Sequence, residues 1–343
     1  MAKILVTGGC GYIGSHTIVD LIQNGFDVIS ADNNARSYPT QLDGVAAITG
    51  IKVKNYKVDL CDKQATESIF LENPDIDGII HFAAYKTVPE SVKNPLLYFN
   101  NNIGSLLSVL DCVEEYGVSS FVFSSSCSVY GNATDLPVTE DTPFEEAECA
   151  YARTKQMGEQ IIRDFCASRA KHKAILLRYF NPVGAHTSIQ IGETPFMPPD
   201  NLVPIITQTA IGIREQMTVF GSDYDTRDGS CIRDYIHVMD IAAAHTRALQ
   251  CLQNEGIEGN LEILNLGTGK GVTVLEAIEA FEKVSGQKLN YKLGDRRPGD
   301  VVAIYANNEK ARNLLGWEAA TSLDTMMSTA WKWEQKLAAA TVG

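Results

Sequence analysis

Three things are missing or scarce in this chain of 343 residues, and each excludes a class of protein. No apolar run comes near the roughly 20 residues that cross a bilayer as a helix. The segment after Met1-Ala2-Lys3 stays apolar for about four residues before glycines begin, too short for the core of a secretory signal. Positive charge is scarce too. Lys+Arg 29 against Asp+Glu 42 leaves −13, which argues against nucleic acid or an anionic membrane as partner. Metal-type cysteine spacing is also missing: Cys10, Cys61, Cys112, Cys127, Cys149, Cys166, Cys231 and Cys251 include no Cys-x-x-Cys pair. No carboxylate or cysteine stands at ligand spacing from His16, His81, His186 or His237. The expectation is a cytoplasmic protein with reduced thiols and no metal.

What is present is ordinary globular composition, 45% apolar and 21% charged. The length suits one large domain with a smaller appendage. Short apolar runs at Ile4–Thr7, Asp27–Ala31, Val53–Val58, Gly78–Phe82, Phe121–Ser125 and Ala174–Tyr179 read as strands. Between them Tyr12–Asn24, Lys63–Glu72, Asn101–Tyr116 and Tyr151–Lys171 carry helical spacing. Apolar strands alternating with helices indicate a parallel sheet covered on both faces. After Asn181 prolines cut the chain into turns. Helical segments are expected at Leu202–Gln216, Val238–Leu252, Val274–Ser285 and Leu323–Lys336, with strands near Leu261–Asn265 and Leu289–Leu293. The fold expected is α/β: a Rossmann-like doubly wound parallel sheet over residues 1–181, then a smaller C-terminal α/β substrate-binding cap over 182–343. Part of the later chain, near 220–260, is expected to return to the first unit.

The first strand runs into Gly8-Gly9-Cys10-Gly11-Tyr12-Ile13-Gly14 and then a helix. Glycines at 8, 11 and 14 permit a tight turn, close backbone approach to a pyrophosphate, and close helix–strand packing. The helix start adds free N–H groups and partial positive charge. Asp32 ends the next strand, 18 residues beyond Gly14. A carboxylate there binds ribose hydroxyls and repels a 2′-phosphate, favouring NAD over NADP, although Arg36 nearby could receive that phosphate. Asp59 and Leu60, ending the third strand, would flank the adenine.

Tyr151-Ala152-Arg153-Thr154-Lys155 places a phenol and an ammonium one helical turn apart. A tyrosine of pKa about 10 is a weak base at neutral pH, and lowering it by about three units needs roughly 4 kcal/mol of differential interaction. Lys155 and a positively charged nicotinamide are the expected sources. Ser124-Ser125-Ser126 lies at the end of a buried strand, where one hydroxyl can hold a substrate hydroxyl against Tyr151. This set describes hydride transfer at a carbinol, with Tyr151 taking the proton.

On these residues, and on Leu177-Arg178-Tyr179-Phe180-Asn181-Pro182-Val183-Gly184-Ala185-His186 and Arg233-Asp234-Tyr235-Ile236-His237-Val238-Met239-Asp240, the chain resembles the extended short-chain dehydrogenase/reductases along essentially its whole length. Their UDP-hexose 4-epimerase branch is the nearest likeness. The resemblance implies tightly bound NAD that takes hydride from C4 of a UDP-galactose or UDP-glucose and returns it to the opposite face of the 4-keto sugar. It implies Tyr151 as base, Lys155 as orienter of the nicotinamide ribose, and Ser126 on the sugar O4. Cofactor contacts extend to Tyr12, Ile13, Asn33, Phe82, Ala83, Lys86, Asn101 and Phe180. Ala84 stands where the family more often has glycine, and Asn102-Ile103-Gly104-Ser105-Leu106 departs from its Asn-x-x-Gly-Thr. For the substrate it implies Arg233 and Arg297 on the diphosphate, Asp300 on the uridine ribose, Asn181, Asn201 and Leu202 on phosphate and sugar, and Thr218 and Phe220 at the uracil. Arg296 is expected to be solvated. Ile304 falls where sugar size is set and is of intermediate bulk. A homodimer through Asn101–Tyr116 and Tyr151–Lys171 is also implied. A UDP-uronate 4-epimerase stays open as an alternative. A 4,6-dehydratase is disfavoured, because its adjacent Asp-Glu is replaced by Cys127 and Ser128.

Overall fold

The computed structural model describes residues 1–297 and 300–342. Six strands alternate with helices through the first half: β1 (Lys3–Thr7), β2 (Asp27–Ala31), β3 (Lys54–Tyr56), β4 (Ile76–His81), β5 (Ser120–Ser126) and β6 (Lys173–Tyr179). All pair in parallel, and the seven-stranded sheet runs Leu261–Leu266, β6, β5, β4, β1, β2, β3. The order reverses between β1 and β4, which opens the crevice in which doubly wound sheets take ligands.

The seventh strand corrects an expectation. The pattern at Leu261–Asn265 predicts a strand of the cap, yet Leu261–Leu266 extends the main sheet beside β6, and Leu264 and Leu266 are wholly buried there. The helix before it, Val238–Gln253, packs on the first helix, Tyr12–Gln23, and buries Ile241, Ala244 and Leu249 in the same core as Ile4 and Val6. The returning segment therefore runs through 266, past the expected 260. Period-two apolar alternation marks a strand but does not say which sheet receives it.

Helix boundaries follow local chemistry. Lys63–Glu72 starts where the Asp62 carboxylate accepts the Ala65 N–H at 3.1 Å. Val274–Ser285 opens on a reciprocal capping box between Thr273 and Glu276 and closes at left-handed Gly286. The expected Leu202–Gln216 helix stops at Ala210, because Gly212 turns left-handed at φ +85°. The expected Asn101–Tyr116 helix divides into a π-helical turn, Phe99–Ile103, and a regular helix, Gly104–Tyr116. Helices at Thr40–Thr49, Val88–Lys93 and Glu309–Leu315 were not anticipated.

The remaining chain forms a smaller layer over the carboxyl ends of the sheet. Its strands are short: Asn181–Val183 with Tyr235–His237, Met217–Phe220 with Tyr291–Gly294, and Ile232–Arg233 between Val272–Thr273 and Ala303–Ile304. It has its own core around Ile206, Val219, Phe281, Met326 and Met327. No helix among the described residues is long and apolar enough to cross a membrane.

Five histidines are buried in these layers: His16, His81, His172, His237 and His245. Desolvation pushes His16 and His81 down to about 3 and His237 and His245 to about 4. Their folded values lie below the unfolded one, so this contribution to stability is present above about pH 6.5 and lost as pH falls toward 4 to 3. Urea unfolding at intervals between pH 7 and 4 is expected to show falling stability. His245→Gln should flatten that slope by up to about 1.4 kcal/mol per pH unit, the limit for one proton.

Candidate active site

A cleft of about 930 Å³ lies between the sheet ends and the smaller layer. Its floor begins at the glycine turn. Gly8 has φ +71°, and a Cβ there would meet the Ala83 backbone nitrogen at 3.0 Å; a Cβ on Gly14 would collide with the Gly8 carbonyl oxygen. Gly11 caps the following helix with no side chain, so first-turn N–H groups face the cleft without a capping acceptor. Asp32 is fixed beside them: its carboxylate accepts Cys10 N–H at 3.1 Å, Asn34 N–H at 2.9 Å and Ser37 Oγ–H at 2.8 Å. These residues fit a dinucleotide pyrophosphate and ribose. Arg36 is engaged elsewhere, paired with Glu90 at 2.8 Å and stacked 4.8 Å over the Tyr85 ring, so it is not free for a 2′-phosphate.

Strands β5 and β6 and the helix Ala150–Ser168 meet at the centre. Lys155 Nζ donates to the Ser124 carbonyl at 2.5 Å and lies 6.0 Å from the Tyr151 ring centre. Ser124 Oγ hydrogen-bonds the Tyr179 hydroxyl, and Ser126 Oγ accepts the Ser128 N–H at 3.2 Å. Burial, then Tyr179, pushes the Tyr151 phenol well above the usual tyrosine range, and its hydrogen bond with Ser126 offsets only part of this. Burial also pulls Lys155 down to about 8, opposed by the Glu159 carboxylate. In the chain alone Lys155 places one N–H on a backbone carbonyl, and desolvation is the largest influence on both groups.

At the far end Arg233 and Arg297 share one carboxylate, Asp300 Oδ1, at 3.6 and 2.7 Å. Asp300, expected on a ribose, is their counter-ion here. Arg233 also donates to the carbonyls of Ile232 and Val301, both at 2.8 Å. Arg296 leaves the cleft, pairing with exposed Asp223 at 2.8 Å.

All sixteen residues expected at the cofactor line this one cleft, from Gly8 and Asp32 through Asp59, Leu60 and Asn101 to Phe180. So do Ser126, Asn181, Asn201, Arg233, Arg297, Asp300 and Ile304. Asn181 Oδ1 is buried there without a partner. Leu202, Thr218 and Phe220 do not line it. Leu202 opens its helix half-buried, while Thr218 and Phe220 sit on the adjoining strand with Phe220 under Arg297. Tyr12 spends its hydroxyl on the Gly184 carbonyl at 2.6 Å, and Lys86 pairs with Glu193 at 3.2 Å. No cluster of metal-ligating side chains exists among the described residues.

One residue went unrecognised from sequence. Asn102, buried in the π-helical turn, accepts the Tyr85 N–H at 2.8 Å and donates to the Tyr85 carbonyl and Thr154 Oγ, both at 3.0 Å. It ties the loop after β4 to the helix of Tyr151, while its neighbour Asn101 faces the cleft. Only the polar run Asn100-Asn101-Asn102 ahead of an apolar helix signalled it, and π turns recur at functional sites.

Comparison with known proteins places this geometry in context. A family model described as GDP-mannose 4,6 dehydratase matches residues 5–330. UDP-glucose 4-epimerase of Bacillus subtilis (strain 168) is 46% identical over 331 residues, 96% of each chain. Its Drosophila melanogaster namesake is 44% identical over 339 residues, covering 97% of this chain and 96% of the other. The crystal structure of UDP-glucose 4-epimerase from Bifidobacterium longum in complex with NAD+ and UDP superposes with TM-score 0.92 at 43% identity, over 98% of each chain. The Stenotrophomonas maltophila enzyme with bound NAD and formylated UDP-arabinopyranose gives TM-score 0.96 at 41% identity, over 99% of this chain and 100% of that one.

Asn102→Ala is expected to cost about 1–3 kcal/mol in urea unfolding, since it strands buried polar groups. Asn101→Ala, which removes only one hydrogen bond to Asn102 Oδ1 at 3.0 Å, should cost less, about 0.5–1 kcal/mol. Equal costs would show that Asn102 is no strut.

Proposed function

The chain belongs to the UDP-glucose 4-epimerase family of the extended short-chain dehydrogenase/reductases, and from that premise we propose how its cleft interconverts UDP-hexoses at C4. The reaction is NAD-dependent 4-epimerisation of a UDP-hexose, and the enzyme is an isomerase. The observation that carries the reading is the convergence of Tyr151, Lys155 and Ser126 on one cleft with the glycine turn and Asp32.

Bound NAD supplies the hydride acceptor and donor and, in its oxidised form, a positive charge beside Tyr151. Ser126 and Tyr151 line the same stretch of cleft; with Tyr151 ionised beside the oxidised cofactor's positive charge, a sugar O4 held by Ser126 would give its proton to the phenolate oxygen and regain it on return. The phenol oxygen holds that proton in the interim. Lys155, fixed to the Ser124 carbonyl, presents its remaining N–H bonds to the cofactor ribose. The uncapped first turn after Gly11 takes the cofactor pyrophosphate, and Asp32 takes the adenosine ribose. Arg233 and Arg297 face a single carboxylate, so they retain net positive charge for a diphosphate although the chain as a whole is acidic. Asn181 and Asn201 line the sugar end, and Ile304 bounds it. Residues 1–181, with the returning segment 238–266, hold the cofactor, and the smaller layer holds the UDP-sugar.

Dehydration is not favoured. The positions where that chemistry needs an acid pair are Cys127 and Ser128, and both line the cleft. Exposed Leu107 and Met157, on the helices Gly104–Tyr116 and Ala150–Ser168, support a homodimer through that face. Eight free thiols support a reducing, cytoplasmic setting.

Purified protein given UDP-galactose and no added cofactor should form UDP-glucose; a 4-keto-6-deoxy product, or dependence on added NAD, would overturn the reading. Tyr151→Phe should lower kcat by about 10²–10⁴, the range for one general acid–base group, with UDP affinity retained in calorimetry. Asp32→Ala should narrow the preference for NAD over NADP by roughly tenfold, as expected for one lost charged hydrogen bond. Reconstitution of apoenzyme with each cofactor measures this ratio.

A further inference from the structure

Glu159 belongs to none of the contacts assigned above, yet it is among the most deeply buried charges in the chain. Tyr151, Lys155 and Glu159 are spaced four apart, so all three share one face of the helix Ala150–Ser168. Glu159 is 1% exposed and its partner Arg178, on β6, 2%. The pair is bidentate: Arg178 Nε donates to Oε1 at 2.9 Å and Nη2 to Oε2 at 2.7 Å. Ser125 Oγ donates to the same Oε1. Arg178 is held in turn by the Tyr130 hydroxyl at 2.9 Å and the Glu140 carbonyl at 3.1 Å, and Tyr130 by Asn265 at 2.6 Å.

Ser125 stands between Ser124, whose carbonyl receives Lys155, and Ser126, which meets Tyr151. One carboxylate therefore fastens the helix to β5 and β6 one turn beyond the lysine. We propose that Glu159 is a positioning residue for Lys155, keeping the ammonium charged and aimed across the strand ends while Arg178 and Ser125 keep the carboxylate in place. This rests on the roles given above to Tyr151 and Lys155.

The groups facing Lys155 make the electrostatic consequence legible. Its own helix brings Tyr151 and Glu159. Strand β4 brings His81, held neutral by burial. Strand β5 brings hydroxyls and the Phe123 ring at 4.9 Å, and β6 brings Tyr179 and, behind Glu159, Arg178. Glu159 is the negative charge in this set, and it opposes the desolvation that pulls Lys155 toward neutrality. Removing it lowers the pH at which Lys155 loses its proton.

The test compares Glu159→Gln and the double variant E159Q/R178M, which leaves no unpaired buried charge, with wild type as holoenzyme. Each is checked for fold by circular dichroism and for UDP affinity by calorimetry. Expected is a folded protein with wild-type UDP affinity whose alkaline limb of kcat/KM for UDP-galactose moves down by about one pH unit in E159Q and by a smaller amount in E159Q/R178M, where the opposing guanidinium is removed as well. A merely structural role would lower activity or melting temperature without moving that limb. An unmoved limb overturns the inference, as does failure of both variants to fold, which would confine the pair to stability. Lys155→Met separates the two levels. If it abolishes turnover while the limb in the Glu159 variants stays put, only the inference falls; if it leaves turnover intact, the reading of Lys155 falls with it.

Discussion

The molecule is organised around an ion pair that water does not reach. Taking a guanidinium and a carboxylate out of solvent costs several kcal/mol for each, and their attraction offsets this only if every donor and acceptor is met. Arg178 and Glu159 satisfy that condition through Ser125, Tyr130 and the Glu140 carbonyl. Apolar residues of equal volume could fill the same space, but they would leave the helix free to slide along the strands. Directional bonds to β5 and β6 fix its register. The positions of Tyr151 and Lys155 relative to Ser124 and Ser126 follow from that register.

The cleft extends the same logic outward. A parallel sheet presents the carboxyl ends of its strands on one side, so the residues after β1, β2, β4, β5 and β6 converge without any long-range design of loops. Backbone N–H groups supply positive potential at one end, and two arginines supply it at the other. An acidic protein thus binds anions with a few well-placed groups, its net charge mattering less than the field inside the groove. Between these ends the phenol and the ammonium are both desolvated, each driven toward its neutral form until ligands arrive.

Most of this was legible in the chain because short-range rules carry it. The glycine turn, Asp32, the serine run and the Tyr-x-x-x-Lys pair each sit within one strand–turn–helix unit, where spacing determines geometry. Helices with strong caps, such as Lys63–Glu72 and Val274–Ser285, fell where the pattern put them. What escaped depended on pairing across distance. Leu261–Leu266 had the pattern of a strand but nothing local to name its neighbour. Asn102 looked like any polar residue at a helix start. Leu202, Thr218 and Phe220 were placed by likeness, and in the chain alone they stand beside the cleft. The burial of Glu159 could have been suspected from a charge on the same helical face as Tyr151 and Lys155, a face that must pack inward.

The late arrival of the edge strand has a consequence for biosynthesis. When β6 has left the ribosome, its outer edge still exposes a row of unpaired amide and carbonyl groups, and more than eighty residues separate it from Leu266. During that interval the nascent sheet lacks both its border and the helix Val238–Gln253 that roofs it. The larger unit can close only after residues 182–237 of the smaller one have emerged, and the smaller one completes its core only with residues beyond 266, so the two are built in alternation along the chain.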